Sequence, residues 1–128
     1  ALSAIEEVTA LTDVTGFGLM GHLLEVCEGS NVSAILQYHK IPVFDEIHGY
    51  LDQKCVPGGT LRNWDSYGHK LTIEDERQRH ILCDPQTSGG LLIAVKKEAF
   101  CVHFIRLNEN SFLSTLRTKL TWGLDKRN

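Results

Sequence analysis

The segment 12–22, TDVTGFGLMGH, constrains the fold more than any other part of the chain. Three glycines, at 16, 18 and 21, separate an alternating apolar and small polar stretch from an apolar stripe with helical spacing. Alternation is typical of a strand, and closely spaced glycines permit a sharp change of direction. The segment therefore predicts a strand over 8–12, a tight corner, and a helix over about 18–28 that Gly29 ends.

The rest of the chain gives weaker but ordered signals. Periodicity and turn composition predict the following elements: a strand over 32–38, a helix from Pro42 to Leu51, a long ordered loop over 55–70, a short helix capped by Thr72 and ending near His80, a buried strand over 91–95, and a helix that carries Phe100, Phe104 and Leu107. This mixture of helices and strands predicts one α+β domain.

Composition excludes several classes of partner. The 128 residues carry a formal charge of -3 and are 42% hydrophobic, which is enough for one core but gives no dense basic surface for nucleic acid or an anionic membrane. No apolar run approaches the length of a membrane span, and the N-terminus lacks the features of a secretory signal. The four cysteines are widely spaced, which favours a reducing, cytoplasmic location.

The corner itself suggests chemistry. Asp13 leaves the predicted strand just before the glycines, so a carboxylate that binds a divalent cation would adjoin backbone N–H groups that bind phosphate. A simpler interpretation stays open, in which the glycines only allow the helix to pack closely on the sheet. A dinucleotide fingerprint is disfavoured, because Thr12, Asp13 and Thr15 interrupt the apolar strand that such a fingerprint requires.

Two further motifs have the composition of loops. The segment 84–90, DPQTSGG, precedes the strand over 91–95, and the segment 56–63, VPGGTLRN, offers Arg62 and Asn63 to an anion. A simpler interpretation stays open for both motifs, in which 84–90 is only a turn and 56–63 is only a solvated loop. Trp64 and Tyr67 are predicted to anchor the loop rather than to stack on a base. His22 is predicted at a surface or cleft position rather than in a catalytic role, and a zinc site at His80 and Cys83 is disfavoured.

The three motifs TDVTGFGLMGH, VPGGTLRN and LCDPQTSGGLL, in this order, resemble bacterial selenophosphate synthetase, the selenide, water dikinase family. The resemblance covers about residues 8–97. It implies the aminoimidazole ribonucleotide synthetase superfamily, whose C-terminal domain has a mixed, mainly four-stranded sheet covered by helices. It also implies conversion of ATP, selenide and water to selenophosphate, AMP and phosphate, with Mg²⁺ as cofactor and a homodimer as the full-length state.

The resemblance also implies roles for individual residues. Asp13 matches the family's aspartate that binds magnesium. The nucleotide cleft is expected to include residues of the corner and of the loop before the last strand: Thr15, Gly16, Gly18, Thr87, Ser88 and Gly89. The reactive Cys or selenocysteine and its Lys lie in the family's N-terminal half. We therefore expect no catalytic residue in this chain, a missing N-terminal domain as its partner, and no activity in isolation.

The last part of the chain limits the resemblance. Residues 98–128 lack the family's closing helix and strand, so we interpret 1–128 as a single C-terminal domain fragment with a divergent tail. Two alternatives remain: another member of the superfamily, such as a thiamine-phosphate kinase, or a non-catalytic module that assembles with the full-length enzyme and regulates it. The DPQTSGGLL and VPGGT motifs argue against the first.

Overall fold

A computed structural model of the chain describes residues 6–96. In chain order the elements are β1 (Val8–Asp13), α1 (Gly18–Ser30), α2 (Ile47–Asp52), α3 (Gly58–Tyr67), α4 (Glu76–Leu82) and β2 (Leu91–Val95), with short 3-10 turns at Tyr38–Lys40 and Gly68–Lys70. The predicted α+β class is confirmed. The predicted helix with Phe100, Phe104 and Leu107, and the tail over 98–128, lie outside the described residues.

The predicted strand before the glycine corner pairs with the predicted strand after the DPQTSGG motif. β1 and β2 run antiparallel, with Leu11 opposite Ile93 and Asp13 opposite Leu91. The alternation in β2 buries Leu92 and Ala94 and leaves the residues between them half-buried. Within residues 6–96 the sheet has these two strands only, where the resemblance implied a mixed sheet of mainly four.

Helix α1 is the centre of the core. Leu19, Leu23 and Cys27 repeat at helical spacing, are buried, and pack with Val14, Tyr67, Leu82 and Leu92 from the other elements. The helix ends one residue beyond the predicted Gly29. Asn31 takes the left-handed conformation there, with φ 52°, and the N–H of Val32 donates to the carbonyl of Cys27 at 2.9 Å. Asn is one of the few non-glycine residues that adopt this cap readily.

The strand predicted over 32–38 is wrong. Val32, Ala34 and Leu36 do alternate with exposed neighbours and pack against the core, but residues 32–37 form neither strand nor helix, and Tyr38 begins the 3-10 turn. Alternating burial indicates which side chains of a segment contact the core. It does not report whether a second strand lies alongside to complete a hydrogen-bonded ladder.

The long loop predicted over 55–70 is also wrong, because most of it is helix α3. The buried residues of α3 are Thr60, Asn63 and Tyr67, at positions i, i+3 and i+7. This is the period of a helix face, but two of the three side chains are polar, so a search for apolar periodicity does not find it. The opening glycines, 58 and 59, added to the appearance of a loop.

The other two helices are shifted from their predicted positions. Helix α2 begins at Ile47 rather than at Pro42. Helix α4 begins at Glu76, and its cap is Asp75 rather than Thr72, since the Asp75 carboxylate accepts the N–H of Gln78 at 2.8 Å. None of the helices within residues 6–96 combines the length and apolar character needed to cross a membrane.

Candidate functional site at the β1–α1 corner

Asp13 is the last residue of β1 and is exposed. Its backbone carbonyl accepts the hydroxyl of Thr12 at 3.2 Å, but its carboxylate makes no ion pair or hydrogen bond with any residue in 6–96. A carboxylate that balances an internal charge would be occupied by that charge. The side chain of Asp13 is instead available to an external cation.

The loop over 84–90 contacts the corner through two backbone hydrogen bonds. The N–H of Val14 donates to the carbonyl of Gly90 at 2.9 Å, and the N–H of Gln86 donates to the carbonyl of Thr15 at 3.0 Å. These bonds continue the β1–β2 pairing past the end of the strands. Two motifs about 70 residues apart in sequence therefore form one unit.

Gly89 brings the loop still closer. A Cβ at this position would overlap the carbonyl oxygen of Val14, so only glycine fits. The bond lengths along this contact place the Cα atoms of Ser88 and Asp13 within about 14 Å of each other. Thr87 and Ser88 are exposed on the loop. One extended ligand such as a triphosphate therefore has room to contact Asp13 and Ser88 together.

Backbone donors remain free at this corner. In the part of the chain that the structure describes, the N–H groups of Gly16, Phe17, Thr87 and Ser88 donate to no protein acceptor. Gly16 is exposed and has no neighbour within 4 Å of where a Cβ would stand. Free N–H groups in a turn form a concave anion site. The corner thus offers a carboxylate for a cation and N–H groups for an anion.

The sequence had suggested that Asn63 binds an anion. The structure shows instead that Asn63 is buried and supports the corner. Its side chain is 8% exposed, and its Nδ2 donates to the carbonyls of Gly16 and Cys83, both at 2.9 Å. One amide thereby holds the glycine corner and the start of the 84–90 loop at a fixed separation. Arg62, the other residue proposed for an anion, is exposed on α3.

A second set of contacts joins α3 to the same loop. The hydroxyl of Thr60, which is 1% exposed, donates to Oδ1 of Asp84 at 2.8 Å, and Nε2 of Gln86 donates to Oδ2 at 3.1 Å. A Cβ on Gly59 would stand 2.6 Å from the ring of Pro85. The VPGGTLRN motif therefore positions the DPQTSGG motif.

Gly18 lies on the packed side of the corner. It is buried, has φ 69°, and a Cβ there would stand 2.8 Å from the backbone carbon of Cys83. The steric space and the left-handed backbone each require glycine. Of the residues expected in the cleft, the structure thus brings together Asp13, Thr15, Gly16, Thr87 and Ser88 near one exposed edge. Gly18 and Gly89 make the close contacts behind them.

The predicted anchoring roles of the aromatic residues are seen in the structure. Tyr67 is buried, and its hydroxyl donates to the carbonyl of Phe17 at 2.5 Å. Burial is the main cause that raises the pKa of Tyr67, and it also raises the pKa of the neighbouring Cys83 thiol, so both groups stay protonated. Trp64 lies under the guanidinium of Arg79, at 4.7 Å.

His22 is buried, whereas the sequence had predicted a surface or cleft position for it. It is 7% exposed, and its ring nitrogens contact the Thr15 hydroxyl and the Glu25 carboxylate, each at 3.1 Å. Sequence reasoning missed the roles of Thr60 and His22 because each is polar at a buried position, and it missed that of the half-buried Asp84 because its partner Thr60 is distant in sequence. The spacing of Thr60, Asn63 and Tyr67 on one helix face was the available signal for α3.

No group of three or more His, Cys, Asp or Glu side chains within 6–96 is arranged to hold a metal ion. A cation bound by Asp13 would therefore need further ligands from outside the described residues. The oxygen chemistry of Asp13, with the hydroxyl of Thr15 two residues on, suits a hard cation such as Mg²⁺.

Comparison with known proteins gives the family context. Residues 1–108 match the family model described as AIR synthase related protein, C-terminal domain. Proteins named selenide, water dikinase match at 67% identity over 92 residues in Aeromonas hydrophila subsp. hydrophila, 63% over 94 in Haemophilus influenzae and 56% over 94 in Pseudomonas putida. These matches cover 72 or 73% of the chain but 27% of each relative. The resemblance inferred from the three motifs is confirmed.

Proposed function

The chain belongs to the AIR synthase related C-terminal domain family, and from this premise we propose that it forms the C-terminal part of a selenide, water dikinase. The longer enzyme would convert ATP, selenide and water to selenophosphate, AMP and phosphate. The observation that carries the proposal is the exposed, unpaired Asp13 carboxylate beside the free N–H groups of the corner and of the 84–90 loop.

Each part of the corner has a task in this reaction. Asp13 would hold Mg²⁺, and the N–H groups of Gly16, Thr87 and Ser88 would bind phosphate oxygens of ATP. When bound, Mg²⁺ supplies positive charge that offsets the charge developing on the phosphate oxygens. This chain thus binds and orients the polyphosphate. The buried Cys83 is unsuited to act as a nucleophile, because burial raises its thiol pKa.

Family membership also suggests partners and a cellular location for the chain. We propose that the chain acts with an N-terminal domain that supplies the remaining metal ligands and the reactive residue, and that the longer enzyme is a homodimer. A cytosolic location is supported by Cys27 and Cys83, which are free, buried thiols with pKa values raised by burial.

A fusion protein tests the proposal. We would join this chain to the N-terminal part of the Aeromonas hydrophila relative and measure selenophosphate formation from ATP and selenide. The chain alone should form none, and the fusion should be active. Asp13→Asn removes the charge without changing the shape, and should lower kcat by about 100-fold or more.

Asp65→Asn is the matched control, because Asp65 is an exposed carboxylate on α3 that makes no ion pair within the described residues. It should leave the rate unchanged. An Asp13→Asn fusion with the rate of the unsubstituted fusion would contradict the proposed metal role. A chain that binds and slows an intact relative, while its own fusion stays inactive, would favour the regulatory alternative.

A further inference from the structure

Three side chains form a continuous hydrogen-bonded chain behind the corner. The Thr15 hydroxyl lies 3.1 Å from Nε2 of His22, and Nδ1 of the same ring lies 3.1 Å from Oε2 of Glu25. The His22 ring is buried, whereas the Glu25 side chain is 63% exposed. Phe17 meets the His22 ring edge-on, with centroids 5.9 Å apart. The ring is therefore held on three sides.

The order of donors and acceptors in this chain follows from valence. A carboxylate accepts and does not donate, so Nδ1 of His22 keeps its proton and donates a hydrogen bond to Glu25. In the neutral ring the other nitrogen, Nε2, then carries a lone pair and must accept. The Thr15 hydroxyl consequently donates its only hydrogen to His22. Both lone pairs of the Thr15 oxygen remain available.

We propose that His22, oriented by Glu25, is a positioning residue that fixes the Thr15 hydroxyl as an oxygen acceptor two residues from Asp13. A hydroxyl in this state can coordinate a divalent cation or accept from a water bound to it. It has no hydrogen left to donate to a phosphate oxygen. The inference rests on the proposed function for the cation, and it assigns Thr15 to the metal rather than to the nucleotide.

The arrangement divides the corner by chemistry. The side-chain oxygens of Asp13 and Thr15 are acceptors, which suit a cation, while the free N–H groups of Gly16, Phe17 and Ser88 are donors, which suit an anion. Second-layer partners of this kind fix the tautomer and orientation of a histidine, and through it the group that the histidine contacts.

The tautomer of His22 is directly measurable by ¹⁵N NMR of the full chain, without metal or nucleotide. We expect Nδ1 of His22 to carry the proton and Nε2 to be unprotonated. Glu25→Gln replaces a pure acceptor by an amide that also donates, so a second tautomer should become populated. The exposed position of Glu25 makes this variant safe for folding. A proton on Nε2 in the unsubstituted chain would overturn the inference.

The consequence for the cation is measured with Mn²⁺ alone, by broadening of amide signals over 13–16. Thr15→Val should weaken Mn²⁺ binding by about 10-fold, the effect typical of losing a supporting ligand. Thr15→Ser, which keeps the hydroxyl, should restore it. Thr12→Val is the matched control: Thr12 also adjoins Asp13, but its hydroxyl bonds to a backbone carbonyl rather than to a histidine.

Two failures are distinguishable in this experiment. If Asp13→Asn binds Mn²⁺ as well as the unsubstituted chain, the proposed metal site itself is contradicted. If Asp13→Asn loses binding while Thr15→Val keeps it in full, the metal site stands and the present inference is overturned. Thermal unfolding of each variant shows that the comparison is made between folded proteins.

Discussion

The two sides of the β1–α1 corner differ in how completely their groups are satisfied. On the packed side, which we define as Gly18, Thr60, Asn63, Tyr67 and Gly89, every side-chain polar atom named above has an internal partner and each glycine touches a neighbour. On the open side, which we define as Asp13, Gly16, Thr87 and Ser88, all four residues are exposed, and the N–H groups of the last three donate to no acceptor in the described residues. The buried contacts of the packed side therefore hold the exposed groups of the open side in position.

The largest effect is expected at Gly18. In Gly18→Ala the new Cβ meets the backbone of Cys83 and Asp84, and φ 69° is strained for alanine, so the free energy of unfolding should fall by about 2–5 kcal/mol. Gly29→Ala in the same helix is the control, since nothing lies within 4 Å there. It should be neutral or stabilising. Urea unfolding followed by tryptophan fluorescence measures both.

Asn63→Ala should have the next largest effect. It removes both hydrogen bonds of the amide and leaves the carbonyls of Gly16 and Cys83 unpaired, at a cost of about 2–4 kcal/mol in the free energy of unfolding. Its exposed neighbour supplies the control: Arg62→Ala should change this free energy by less than about 0.5 kcal/mol. Equal urea midpoints for the two variants would remove Asn63 from the packed side.

Tyr67→Phe tests a single bond. The ring remains, but the carbonyl of Phe17 loses its donor, so we expect a loss of about 1 kcal/mol. Tyr50→Phe removes the hydroxyl of a tyrosine that is 54% exposed and should have no measurable effect on thermal unfolding. A Tyr67→Phe variant as stable as the Tyr50→Phe control would show that the Tyr67 hydroxyl contributes nothing.

The smallest effect on stability is expected on the open side. Ser88→Ala and Asp13→Asn should each change the free energy of unfolding by less than about 0.5 kcal/mol, because neither side chain has a partner in the described part of the chain. Destabilisation of either variant by as much as Asn63→Ala would erase the distinction between the two sides.

Sequence reasoning found the elements whose buried residues are apolar and recur at helix or strand spacing. β1, β2 and α1 were predictable because Leu92, Ala94, Leu19 and Leu23 follow the two standard periods. Helix α3 was not, since its buried face consists largely of Thr60 and Asn63. The segment over 32–38 shows the opposite failure, because its burial alternates but it has no partner strand in the described residues.

The candidate site divides in the same way. The nearness of Asp13 to Ser88 was expected from the resemblance, which assigns both residues to one site. The support from Asn63, Asp84 and His22 was not, because the role of such polar residues depends on their partners in the folded structure. The Asn63 amide, for example, joins carbonyls at positions 16 and 83.

Amide hydrogen exchange on the full chain tests the central distinction most directly. Exchange of an internally bonded amide requires local or global opening, whereas a free amide exchanges without it. The amides of Val14, Gly18 and Gln86 should be strongly protected, while those of Gly16, Thr87 and Ser88 should exchange nearly as fast as in an unfolded peptide. Protection of Thr87 and Ser88 equal to that of Val14, or an unprotected Val14, would contradict a corner with one packed and one open side.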